Sequence, residues 1–223
     1  MNVINGIASA YQAIRRTKSF SSGSYWERRY ENGGLSGPGS YGRLAEYKAE
    51  FLNSFVHQQG ISSVIELGSG DGAQLALFRF KHYIGLDVSK ASIKLCMQKY
   101  ADDSSKSFYL FDAECARDSH RLFTAELALS LDVIYHLVED SVYEAYMRAL
   151  FGAAEKFVII YASNTDENRR EQARHVRHRK FTGWVEECEK NWALGEHATN
   201  RYSLTTNELT ESFADFYVYS KTD

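Results

Sequence analysis

A chain of 223 residues with a formal net charge of -3 fits one domain with a substantial core. The small negative balance argues against a nucleic-acid or acidic-membrane partner, and no apolar run approaches membrane-spanning length. Cys96, Cys115 and Cys188 are widely spaced and form no CxxC pair, which favours reduced thiols in a cytoplasmic setting over a zinc site.

Residues 1–18 read as a helix or a loosely held arm. Arg15 and Arg16 follow the apolar residues there instead of preceding them, unlike a signal peptide. Tyr25-Trp26-Glu27-Arg28-Arg29-Tyr30 comes next, an aromatic and basic cluster that suits the start of an amphipathic helix and equally a cover over a ligand. Between Gly33 and Gly42 lie five glycines and Pro38, the single proline of the chain, which predicts a loop of defined shape. Leu44, Tyr47, Phe51, Leu52 and Phe55 then share one helical face over 44–56. The chain divides into an N-terminal helix and lid segment, 1–44, and a main domain, 45–223.

From Ser63 onward, strand-like runs at 63–67, 83–87, 107–111, 126–131 and 156–162 alternate with helical stretches at 73–80, 89–100 and 140–151. Alternation of this kind predicts an α/β protein with a doubly wound, mainly parallel sheet. A polar stretch over 164–180, a helix over 182–191 and two more strands, 192–198 and 213–219, complete the chain.

The first strand-like run ends in Glu66 and is followed by Gly68-Ser69-Gly70-Asp71-Gly72. Glycines remove the Cβ atoms that would keep a ligand from the backbone, and a helix start behind them would supply unpaired N–H groups. Taken literally, Gly68-x-Gly70-x-x-Ala73 also fits the dinucleotide fingerprint, so an NAD-linked oxidoreductase stays open. Glu66 is placed to meet a cationic amino group. Asp87 ends the second run, where ribose hydroxyls would lie. Asp112 ends the third, suited to an adenine amino group and equally to a solvated strand end.

Acid and glycines, acid, and acid at three successive strand ends resemble the cofactor site of class I S-adenosylmethionine-dependent methyltransferases. The resemblance covers about residues 45–221. It implies a Rossmann-like, seven-stranded sheet closing in an antiparallel hairpin. It further implies that Glu66, Gly68, Gly70 and Gly72 frame the methionine part of S-adenosylmethionine and that Asp87 accepts from both ribose hydroxyls. Asp112, with the backbone beside Ala113, would meet the adenine edge. As a lid, Tyr25 or Trp26 would cover the sulfonium by cation–π contact, and Arg29 would hold the methionine carboxylate.

Methyl transfer is an in-line displacement, so a protein mainly supplies alignment and desolvation. In this fold the end of the fourth strand, Leu129 to Leu137, faces the transferred methyl. His136 is therefore the candidate general base, its structural alternative being a histidine that caps a helix or packs beneath the site. Asp132 would orient His136 or the acceptor, beside Tyr135. A metal-assisted variant would use Asp132, Asn164 and Asp166 on Mg²⁺. The spacing Ser163-Asn164-Thr165-Asp166 departs from the adjacent acid–amide pair usual in metal-dependent O-methyltransferases, which favours a metal-free site.

His175-Val176-Arg177-His178-Arg179-Lys180 is a dense basic cluster, in general a solvated run. Here it borders the expected acceptor pocket, where Arg177 or Arg179, flanked by His175 and His178, would grip a phosphate or carboxylate. Nucleic acid fits poorly, because the cluster is short and no proline beyond Pro38 can complete the Asn/Asp-Pro-Pro-aromatic motif of many base-amino methyltransferases.

Ser24 to Tyr30, Gly33 to Gly37, Ser130 to Leu137 and His175 to Phe181 are together similar to bacterial methyltransferases of surface-polysaccharide assembly (O-antigen or S-layer glycan), some of them fused to glycosyltransferases. That resemblance implies a sugar or glycan hydroxyl as acceptor and glycosyltransferase components as partners. A module that binds the cofactor without catalysis is the other alternative.

Overall fold

In the computed structural model, residues 20–116, 118–205 and 210–222 are described, so the arm expected over 1–18 lies outside them. The Tyr25–Tyr30 cluster is helical. It belongs to α1, Ser22–Glu31, where the Ser21 side chain accepts from the Ser24 amide and Arg28 and Arg29 sit at the C-terminal end. Pro38–Ser40 form one 3₁₀ turn in the glycine-rich segment. Helix α2, Gly42–Gln58, buries Leu44, Tyr47, Leu52 and Phe55 and runs across residue 44.

Seven strands follow: β1 Ser63–Leu67, β2 His82–Asp87, β3 Lys106–Leu110, β4 Ala125–Leu131, β5 Ala154–Ala162, β6 Trp192–Ala198 and β7 Asp215–Lys221. They form one sheet in the order β3-β2-β1-β4-β5-β7-β6. The first five are parallel, and β7 runs antiparallel to both β5 and β6. The expected closing hairpin is present, in place of the further parallel strand that a dinucleotide fold would add. Helices α3, Lys90–Lys99, α4, Asp140–Ala153, and α5, Phe181–Cys188, complete the layers.

Neighbouring residues of the central strands feed opposite cores, because successive side chains point to opposite faces. Val64, Leu127 and Ile159 pack with Leu52 and Phe55 on one face. Ile65, Ala128 and Val158 pack with Met147 and Leu150 on the other. Both faces are covered, so these strands read as continuous apolar runs. The strand order reverses between β1 and β4, and ligands in such sheets lie at the carboxyl ends beside that switch point.

Several boundaries differ from expectation. The helix expected over 73–80 is one 3₁₀ turn, Gln74–Leu77, after which Phe78 is extended. Phe78 and Phe80 are both buried while Arg79 between them is exposed, a strand-like alternation that a helix cannot provide. Asn53 holds that shape, its Nδ2 donating to the Leu77 carbonyl at 3.0 Å and its Oδ1 accepting from the Arg79 amide at 2.8 Å. β3 stops at Leu110, which leaves Phe111 and Asp112 in the turn beyond it. The last helix spans Phe181–Cys188 instead of reaching 191, and the last strand begins at Asp215 instead of 213. Among the described residues no helix is long and apolar enough to cross a membrane.

Candidate active site

The carboxyl ends of β1, β2 and β4, roofed by α1 and the glycine-rich segment, enclose a cavity of about 440 Å³. Gly68 and Gly70 adopt φ of 87° and 58°. A Cβ on Gly68 would strike the Val133 side chain, and one on Gly70 would stand 2.6 Å from Ser36 Oγ. Both positions therefore need glycine twice over, for backbone conformation and for space. Gly72 lies outside the cavity lining. Its carbonyl accepts from Tyr100 and Lys99, so it seats the turn on α3 instead of framing a ligand.

The backbone amides of this turn are already occupied. Gly70 N donates to Asp87 at 2.9 Å, Asp71 N to Ser36 Oγ at 3.3 Å, and Ala73 N to Asp71 at 3.0 Å. With no α-helix behind the turn, the array of free N–H groups expected from the sequence is missing here. What faces the cavity instead is a set of carboxylates. Asp87 is 8 % exposed and accepts from the Gly70 and Ser89 amides, one on each oxygen. Each oxygen keeps a second lone pair for another donor. Burial pushes its carboxyl above the usual range, against the pull of those two amides.

Glu66 also lines the cavity and is 6 % exposed, accepting from Tyr83 Oη at 2.6 Å. Burial lifts it to about 7, with Tyr83 and Lys48 opposing the shift. A carboxyl raised in the fold favours the native state most below its unfolded value, near 4.5, and that advantage is lost as pH rises through about 7. Glu66→Gln, which imitates the protonated form, should therefore match the parent's melting temperature near pH 5 and exceed it at about pH 9. Parallel melting curves across that range would show that Glu66 does not titrate as placed. Asp112, Ala113 and Phe111 line the far end, where Asp112 is exposed and caps its own turn through the Glu114 amide at 3.0 Å.

The roof is tied down by polar bonds. Glu27 accepts from Ser89 Oγ at 2.6 Å and Ala91 N at 3.2 Å, and Ser22 N donates to Glu139 at 2.9 Å. Trp26 and Arg29 line the cavity, with the Arg29 guanidinium 5.5 Å from the Trp26 ring centroid and its Nε donating to the Leu35 carbonyl at 2.7 Å. Tyr25 does not line it. Its ring stacks on His175 at 4.5 Å, which makes it a link between α1 and the 164–180 loop.

At the other end stand Asp132, Tyr135, His136, His175 and Phe213. Asp132 adopts φ 59°. Its carboxylate pairs with the fully buried Lys48 ammonium and accepts from Tyr135 Oη at 2.9 Å, so its hydrogen-bond partners are these two and not His136. His136 sits on the 3₁₀ turn Ile134–His136 and pairs through Nδ1 with the His175 carbonyl at 3.0 Å. A carbonyl can only accept, so Nδ1 carries the proton and Nε2 keeps its lone pair. Burial lowers His136 to about 4, with the His175 carbonyl opposing, so the ring is neutral at physiological pH. The imidazole stacks on His175 at 5.3 Å and meets the edge of Trp26 at 4.8 Å.

In the basic cluster Arg179 turns inward, while Arg177 stays 42 % exposed. Arg179 donates to the Leu137 carbonyl at 2.6 Å and to the Val138 carbonyl at 2.9 Å, and Arg177 also reaches Val138 at 2.9 Å. Both guanidiniums pair with Asp140. His178 pairs with Ser163 Oγ at 2.6 Å. None of these three lines the cavity, which corrects their assignment as acceptor grips. The triad Asp132, Asn164 and Asp166 does not converge either. Asn164 bonds Thr182 and Asp166 accepts from the Lys180 amide, both beside the start of α5.

Solved structures share this architecture. The N-methyltransferase NodS from Bradyrhizobium japonicum, crystallised with S-adenosylhomocysteine, superposes with a TM-score of 0.69 at 13 % identity, over 92 % of this chain and 100 % of that one. Magnesium protoporphyrin IX methyltransferase from Synechocystis, with bound S-adenosylmethionine, gives 0.63 at 12 % identity over 92 % and 100 %. The methyltransferase domain of bacterial CtHen1 gives 0.62 at 19 % identity over 81 % and 100 %. The chain has the methyltransferase fold. No protein-family model and no curated protein matches it.

Sequence reasoning missed the residues that hold the site together: Asp71, Ser36, Tyr41, Glu27, Glu139 and Lys48. Only Lys48 left a usable signal, since it lies four residues from both Leu44 and Leu52 on the buried face of α2.

Proposed function

We propose that this protein is an S-adenosylmethionine-dependent methyltransferase acting on a hydroxyl of a sugar or glycan. One observation carries the choice of cofactor: the cavity offers carboxylates where a dinucleotide would need free amides. Glu66, Asp87 and Asp112 accept hydrogen bonds, and S-adenosylmethionine offers an ammonium, two ribose hydroxyls and an adenine amino group to donate them. A pyrophosphate would meet occupied amides and acid side chains. Solved structures of NodS and of magnesium protoporphyrin IX methyltransferase hold S-adenosylhomocysteine and S-adenosylmethionine, respectively, in this fold, which supports the same reading.

Bound S-adenosylmethionine supplies an electrophilic methyl on a sulfonium. Arg29 would hold its carboxylate, Glu66 its ammonium, Asp87 its ribose, and Asp112 with Ala113 its adenine. Trp26 would exclude water above the sulfonium. His136 would take the acceptor's hydroxyl proton on Nε2 while the His175 carbonyl fixes the ring through Nδ1. Asp132, held by Lys48 and Tyr135, would accept from a neighbouring hydroxyl. A base set at the acceptor end favours a hydroxyl over an amine, which needs less help. With Arg177 and Arg179 engaged elsewhere, an unphosphorylated acceptor fits best. The sugar acceptor and a glycosyltransferase partner rest on the motif resemblance of Ser24–Tyr30, Ser130–Leu137 and His175–Phe181 alone, and a cytoplasmic setting on the unpaired cysteines.

Two measurements test this. S-adenosylhomocysteine should raise the melting temperature and NADH should not; the reverse would return the protein to the oxidoreductases. Labelled methyl from S-adenosylmethionine should then appear on members of a panel of neutral oligosaccharides. Cofactor binding with no transfer to any sugar, amine or thiol acceptor would mark a non-catalytic module.

A further inference from the structure

We propose that Asp71 is a positioning residue that latches the glycine-rich segment over the donor site, so that S-adenosylmethionine enters and leaves where this latch breaks. The inference rests on the donor proposed above.

One carboxylate oxygen of Asp71 takes two bonds from the segment, Ser36 N at 2.9 Å and Tyr41 Oη at 2.6 Å. The other accepts from Ala73 N within its own turn. The contact is reciprocal, because Ser36 Oγ accepts from Asp71 N and lies 3.0 Å from Tyr30 Oη. Asp71 is itself 8 % exposed. Burial alone would raise its carboxyl, but these donors outweigh that and hold it below the usual range, as an anion.

Other side-chain hydrogen bonds of the segment run back to α1, from Arg29 Nε to the Leu35 carbonyl and between Tyr30 Oη and Ser36 Oγ, and not to the glycine turn. No residue of 32–41 is buried, and Leu35, its one aliphatic side chain, is 55 % exposed. Yet Ser36, Gly37, Pro38 and Gly39 line the cavity that would hold the donor. The opposite walls are ends of central strands and cannot part without unfolding the sheet. The glycine-rich part of the roof is the wall that can move, and it is attached to the glycine turn by the two bonds to the Asp71 carboxylate and the weaker one from Asp71 N to Ser36 Oγ. Hydrogen bonds to a charged group are the strong ones.

The test is binding of S-adenosylhomocysteine by surface plasmon resonance to the whole chain and to Asp71→Asn and Tyr41→Phe. Asn preserves the shape of the turn, and Tyr41→Phe removes one latch bond from a residue 37 % exposed without touching the turn. For Asp71→Asn, association and dissociation should both quicken about tenfold, the scale of one bond to a charged group, with Kd changed by no more than about threefold. Tyr41→Phe should move both rates the same way by less. Hydrogen exchange without ligand should quicken over 33–41 in both variants. A merely structural Asp71 could not speed association. Unchanged rates or exchange in the variants, or faster dissociation with unchanged association, would overturn the latch alone. A parent chain that fails to bind S-adenosylhomocysteine would instead sink the donor assignment, and the proposed route with it.

Discussion

In Asp87→Ala, affinity for S-adenosylhomocysteine measured by calorimetry should fall by about a hundredfold or more. In the ribose site proposed above, two hydroxyls donating to this carboxylate would each be worth about 1.5–3 kcal/mol, and about 1.4 kcal/mol is a factor of ten. The alanine also strips the Gly70 and Ser89 amides of their shared acceptor, so the melting temperature should drop as well. Asp87→Asn separates the two effects. It keeps one acceptor for the turn and should recover much of the stability while binding weakly. Unaltered affinity in both variants would remove Asp87 from the ribose site.

His136→Ala should lose about 10²–10⁴ in turnover, the usual worth of a positioned general base. Affinity for S-adenosylhomocysteine should stay within about threefold, because His136 stands at the acceptor end. The pH profile gives a sharper check. A base must be unprotonated to act, and burial holds this ring at about 4. Turnover should therefore be level from about pH 5.5 upward, with its acid limb below the 6.5 of an ordinary histidine. The same shift lowers stability in acid, since the unfolded chain takes up the proton first as pH falls from 6.5 towards 4. Full activity in the alanine variant would show that His136 is packing and nothing more.

The sheet was readable because its central strands are buried on both sides and so appear as uninterrupted apolar runs such as Val64-Ile65 and Ala128-Leu129. Glu66 and Asp87 were readable for the same reason, as acids closing those runs. Where charge marks an interior position, the sequence misleads. Lys48 is fully buried against Asp132, and Arg179 is drawn inward by two backbone carbonyls. A flat guanidinium with five donors satisfies carbonyls that water would otherwise solvate, and neither composition nor period reveals that. The 73–80 stretch failed differently. Its good helix formers are overridden by Phe78 and Phe80, which both turn to the core. Asp71 and Ser36 are 35 positions apart, and nothing local in either announces the other.

The loop that carries Arg177 and Arg179 also bears on selectivity. Arg177 N on the Tyr135 carbonyl, His136 on that of His175, and Arg179 on those of Leu137 and Val138 stitch the two loops behind the acceptor end at several points. A surface sewn in this way cannot be remoulded around each visiting molecule. Acceptors should therefore sort by rigid fit, because the wall behind that end has little freedom to adjust.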